Sequence, residues 1–160
     1  MDEAPSHTQT TTNVKSLIQA SVAAAVVLNA VDWVTNSFLL GDLWRHLAIT
    51  HNADTNAMNS TASVIQYVVG DTVLGVLLVW VYTAIRPRLG PGPATAIIAA
   101  FVVFAASTIE FATFAGWFVP WDLFVRTSAL SLIALLLAGW AGAWVYKEEP
   151  APEPIDWARK

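Results

Sequence analysis

Four apolar runs, each long enough to cross a bilayer, fill most of this 160-residue chain, and they leave few folds open. A spanning helix needs about 20 mostly apolar residues to cover roughly 30 Å of hydrocarbon. In lipid each backbone polar group must find its partner within the helix or a closed barrel. The runs predict helices over about 14–40, 62–85, 94–118 and 121–146, and hence an all-α, polytopic membrane protein with four transmembrane helices. Composition agrees: 56% of residues are hydrophobic, 12% are charged and the mean hydropathy is +0.54. Ordinary soluble domains carry about twice that charge.

The remaining segments are short. Residues 1–13 and 147–160 read as disordered polar tails, the first Thr-rich, the second rich in Pro and acid, flanking one transmembrane domain over 14–146. The first tail lacks the basic start of a secretory signal, so the first run reads as a retained helix. The longest loop, 41–61, begins with Leu43, Trp44, Leu47 and Ile49, a pattern suited to a short amphipathic piece in the membrane interface. Arg86-Pro87-Arg88-Leu89-Gly90-Pro91-Gly92-Pro93 ends the second helix, turns and starts the third. Val119-Pro120-Trp121 is so short a link that the third and fourth helices must be antiparallel neighbours.

Orientation follows from the basic residues. With both termini cytoplasmic, that side holds Lys15, Arg86, Arg88, Lys147, Arg159 and Lys160, against Arg45 and Arg126 opposite. This is the positive-inside bias.

An internal repeat is also expected. Gly75, Trp80, Val81 and Tyr82 match Gly139, Trp144, Val145 and Tyr146 at the same spacing, and Asp32-Trp33 corresponds to Glu110-Phe111. The chain reads as two repeated helix hairpins related by an axis along the membrane normal. Aromatic belts at the interface account for the Trp and Tyr alone but not for the glycine spacing.

Three of the four runs hold a single acid: Asp32, Asp71 and Glu110. A carboxylate at mid-membrane costs roughly 2.5–3.5 kcal/mol, so each requires a partner or a use. At about 1.5 Å per residue, all three and Arg126 fall in the outer half of the membrane. Asn29, Asp32 and Asn36 share one face of the first helix; Ser107, Glu110 and Thr113 form a stripe on the third, and Ser128 and Ser131 follow Arg126 on the fourth. Arg126 is expected to pair with Asp71 or Glu110, leaving two acids to be neutralised by a proton, cation or ligand. The alternative is that this cluster (Asp32, Asp71, Glu110, Arg126, Asn29 and Asn36) only fixes helix register, at about 0.6 kcal/mol per contact. Small residues at Ala138, Ala141, Gly142 and Ala143, with Gly70 and Gly75, suit close helix approach or a homodimer.

Several function classes drop out. With no cysteine, thiol exchange, iron–sulfur ligation and covalent haem attachment are excluded. His7, His46 and His51 lie outside the runs, so no haem is held between helices, and His46 and His51, five apart, make a poor ligand set with Asp42 or Asp54; no metal or cofactor is assigned. There is no basic stripe for nucleic acid and no nucleophile–base motif.

Leu28–Asn36, Tyr82–Ala96 and Gly142–Glu148 carry a resemblance. Across about 14–148 the chain resembles a group of small four-helix bacterial membrane proteins known mainly as hypothetical proteins. That resemblance implies the same topology and the bacterial inner membrane, with no activity to carry over. Three functions remain: a small proton- or ion-linked transport or binding protein, an accessory or assembly subunit of a membrane complex, and a lipid-modifying enzyme with a carboxylate as acid or base. The expected partners are the lipid bilayer and either a second copy or another membrane protein.

Overall fold

A computed structural model describes residues 13–54, 56 and 60–148. It holds five α-helices and, among the described residues, no strand. Helix α1 spans Val14–Val34 and runs on into a π-helical turn, Thr35–Leu39. Then come α2 at Gly41–Thr50, α3 at Thr61–Leu89, α4 at Pro93–Phe118 and α5 at Trp121–Val145. Four helices are long and apolar enough to cross a membrane: α1 with its π turn, α3, α4 and α5. The tail expectations fall mainly outside the described residues. Asn13, Lys147 and Glu148 are exceptions: the Asn13 side chain caps α1 by accepting from the Ser16 N–H at 2.9 Å, the Lys147 N–H donates to the Ser16 hydroxyl and Glu148 pairs with Arg86, so these three residues of the expected tails are held against the bundle.

Local chemistry sets the boundaries. α3 continues four residues past the expected 85, to Leu89, with Pro87 inside its last turn. A proline there removes one backbone donor but keeps a helical φ, and so near close to the end it is tolerated. Gly90 and Gly92 then take φ of +82° and +122°, conformations open mainly to glycine. Pro93 begins α4 at the first helical position. The turn is tied by the Thr95 hydroxyl donating to the Gly90 carbonyl at 2.6 Å and the Gly92 N–H donating to the Tyr82 hydroxyl at 3.3 Å. Gly92→Ala should therefore cost about 1–3 kcal/mol in denaturant unfolding, although a Cβ there meets nothing within 4 Å. An unchanged midpoint would show that the turn's backbone is not held.

The spans form a ring. α1 lies beside α3 and α5, α4 lies beside the same two, and α3 touches α5 across the narrow diagonal. Both described chain ends and the α3–α4 turn sit at one end, called here the terminal end; α2 and the α4–α5 link sit at the far end. The core belongs to the terminal half: Ala20, Ala24, Leu28, Leu78, Val79, Tyr82, Ala96, Ala99, Ala100, Val103, Leu135, Ala138 and Tyr146 are all buried. Small residues permit the approach. A Cβ on Gly75 would sit 2.8 Å from the Ala25 backbone, and one on Gly142 would sit 2.8 Å from Val79.

Toward the far end the packing thins. In α3 each of residues 61–70 is exposed except Ser63, which is partly buried. α2 falls where the amphipathic piece was expected, with Leu43, Trp44, Leu47 and Ala48 partly buried and Asp42, Arg45 and His46 exposed; Ile49, expected on the apolar side, is exposed instead. Its end reaches across to α4, where His51 meets Phe118 edge-on at 6.3 Å.

Candidate functional site

Core-facing stripes that are apolar in the terminal half turn polar as they continue outward. On α1 the stripe of Ser21, Ala25 and Leu28 leads to Asp32 and Thr35; on α3 Tyr82, Leu78 and Gly75 lead to Asp71. α1 and α3 are neighbours, so these two acids meet. Their carboxyl groups lie within hydrogen-bonding reach of each other, and both residues are half-buried. Counted along the helices, the pair is roughly 10–15 Å from the far end. Two carboxyls at such range are compatible with a shared proton or a bridging cation, and not with two bare charges in an apolar layer.

Four further residues were expected in this cluster, and the structure divides them. Asn29 stays close, one turn from Asp32, with its amide donating to the Ala25 carbonyl at 2.9 Å. Asn36 is exposed and donates to the Asp32 backbone carbonyl at 2.9 Å. Glu110 is exposed on α4, the helix that lies across the wide diagonal from α1. Arg126 is exposed on α5 and, among the described residues, makes no ion pair. It shares a helical phase with Ile133, Leu137, Trp140 and Trp144, all exposed, and so lies on the outward side of α5. The expected pairing of Arg126 with Asp71 or Glu110 does not form.

Ser128, expected in the polar stripe of the fourth helix, and Thr127, not among the expected residues, lie at a comparable depth. The hydroxyl oxygens of Thr127 and Ser128, on α5, are buried and have no hydrogen-bond partner among the described residues. A buried polar group left so costs about 1–3 kcal/mol unless water or a ligand satisfies it. Ser128 belongs to the stripe of Phe124, Ser128, Ser131, Leu135, Ala138 and Gly142, which returns to one side of α5 every three or four residues; Thr127 lies beside that stripe, not on it.

Beside the acid pair, α1 and α3 enclose a groove of about 710 Å³. Ser21 and Ala25 help form its α1 wall with Ile18, Val22 and Val26, while Val68, Thr72, Val76 and Trp80 form the other. Asn29 marks the end of the groove nearest the acids. Among the described residues no three His, Cys, Asp or Glu side chains gather as a metal site.

A second polar constellation closes the terminal end. Arg86 pairs with Glu148 at 3.0 Å, and its guanidinium lies 5.2 Å from the Tyr146 ring and 5.9 Å from that of Tyr82. The two tyrosines meet edge-on at 6.1 Å, and the Lys147 N–H donates to the Ser16 hydroxyl. Nothing in the local sequence announces these contacts, because their partners are far apart along the chain.

Comparison with known protein families, curated proteins and solved structures gives no match to this chain.

Proposed function

We propose that this chain is a small multi-pass protein of the bacterial inner membrane that binds and exchanges a proton or a cation at Asp32 and Asp71, as a transport or binding protein. One observation carries the reading: two acids on adjacent spanning helices reach each other where, among the described residues, no basic side chain pairs with either. The unpartnered hydroxyls of Thr127 and Ser128 support a hydrated polar layer at that level. The terminal end is the cytoplasmic one in this reading, supported by Lys15, Arg86, Arg88 and Lys147 gathered there. Hairpin duplication belongs to the same reading. Tyr82 and Tyr146 are buried while Trp80 and Trp144 are exposed, so matching residues have matching surroundings.

Infrared difference spectroscopy in nanodiscs tests the site. The spectrum of the protein minus that of a folded Asp32→Asn/Asp71→Asn variant, with the ten other acids contributing equally to both, should hold a protonated-carboxyl band in acid that disappears as pH rises. No such band at any pH, or an identical band in the variant, would remove the proposal.

The accessory-subunit reading has one observation in its favour. Val64, Ile65, Tyr67, Val68 and Val69 are each about half exposed or more, at 48–65%, and they surround most of α3 near the far end. Native mass spectrometry separates the readings, since a stoichiometric foreign subunit would make this chain an accessory protein.

A further inference from the structure

The groove between α1 and α3 is concave because of how the two helices touch. They approach closely at Ala25 and Gly75, where a Cβ on the glycine would be 2.8 Å from the α1 backbone. Larger side chains flank that contact in two ridges of i, i+4 spacing, Ile18–Val22–Val26 on α1 and Val68–Thr72–Val76–Trp80 on α3. The ridge on α3 is about 18 Å long. The helices that form the walls also carry the acid pair: Asp32 is one turn beyond Asn29, and Asp71 lies between Val68 and Thr72 in sequence. Neither acid lines the trough itself; the pair lies within about one helical turn of Asn29, Val68 and Thr72 in its walls.

A lipid tail would satisfy the trough and leave the acids unmet. Among the described residues no basic side chain pairs with them: Arg45 is held by Asp42 at 2.8 Å, Arg86 by Glu148 at 3.0 Å, and Arg126 lies on the outward side of α5. We propose that the groove binds a lipophilic organic cation, with its apolar body between the two ridges and its charge at Asp32 and Asp71. This deepens the reading of that pair as a proton or cation site and rests on it. The substrate class is then an amphipathic amine or onium ion arriving from within the bilayer.

Equilibrium dialysis of tetraphenylphosphonium against the protein in phosphatidylcholine nanodiscs tests it, with neutral triphenylphosphine oxide as the comparison. Saturable binding above empty nanodiscs is expected for the cation and not for the neutral compound. Asp71→Asn should weaken it at least tenfold. So should Val76→Trp and, independently, Val22→Trp, each filling the groove from one wall; only variants that remain monodisperse and helical are scored. No saturable binding to the unaltered protein overturns the proposal, as does equal binding of the neutral compound or full binding in either folded Trp variant. If the infrared carboxyl band titrates while the cation does not bind, the groove assignment fails and the proton site stands. If neither is seen, both fail.

Discussion

Replacing Gly75 by valine will disrupt the bundle where replacing Gly70 by valine will not. Both glycines lie on α3, five residues apart, yet a Cβ on Gly75 would meet the Ala25 Cα and N at 2.8 Å, while one on Gly70 meets nothing within 4 Å. The obstacle is backbone, which no rotamer change relieves, so α1 must move away from α3. Overpacking costs about 1–3 kcal/mol where neighbours can adjust; at this contact about 3 kcal/mol or more is expected. Gly70→Val changes an exposed helical site and should stay within about 0.5 kcal/mol. Unfolding in mixed micelles followed by circular dichroism gives both numbers. Equal midpoints for the two variants would mean that α1 and α3 do not cross at Gly75.

The terminal-end constellation makes the second large prediction. The Arg86 and Glu148 side chains are only 13% and 24% exposed, so each is largely cut off from water. Losing one partner of a fully buried pair costs about 3–5 kcal/mol; at the end of a bundle some of that is recovered by solvent. Arg86→Ala also removes both tyrosine contacts, each worth about 0.5–2 kcal/mol. A total near 3 kcal/mol is expected, with Arg86→Lys recovering only part because an ammonium does not stack as a guanidinium does. In a double-mutant cycle with Glu148→Ala, the coupling should exceed about 1 kcal/mol. Additive effects would show that Glu148 only rests beside Arg86.

Sequence made the four apolar helices and the short amphipathic helix α2 legible because length and hydropathy are local properties. Helix neighbours were legible only at Val119-Pro120-Trp121, where a short link leaves no freedom. Depth was equally readable, since 1.5 Å per residue places Asp32, Asp71 and Arg126 at similar levels. Direction around the helix was the missing coordinate. Counting from Arg126 to Ile133, Leu137, Trp140 and Trp144 would have put the guanidinium on an apolar outward stripe; counting from Asp71 to Gly75, Leu78 and Tyr82 would have turned that acid inward. Glu110 was beyond this remedy. It keeps the phase of Ala96, Ala100, Val103 and Ser107, yet it is exposed, at a level where residues 61–70 of α3 bury almost nothing. Which helices face one another, and where along their length they part, depends on contacts such as Gly75 with Ala25 and Arg86 with Glu148. No window of sequence contains both members of those pairs.

The hydrogen bond from the Lys147 N–H to the Ser16 hydroxyl joins residues 131 apart in the chain, and it makes the bundle very nearly a closed loop. Its two ends meet on the same side as the Gly90–Pro93 turn. The molecule can therefore be circularly permuted: a short linker from the end of α5 to the start of α1, with a new opening at that turn, keeps every helix crossing. The permuted chain would begin with α4 and end with α3, and both of its termini would still emerge on the face from which they emerge now.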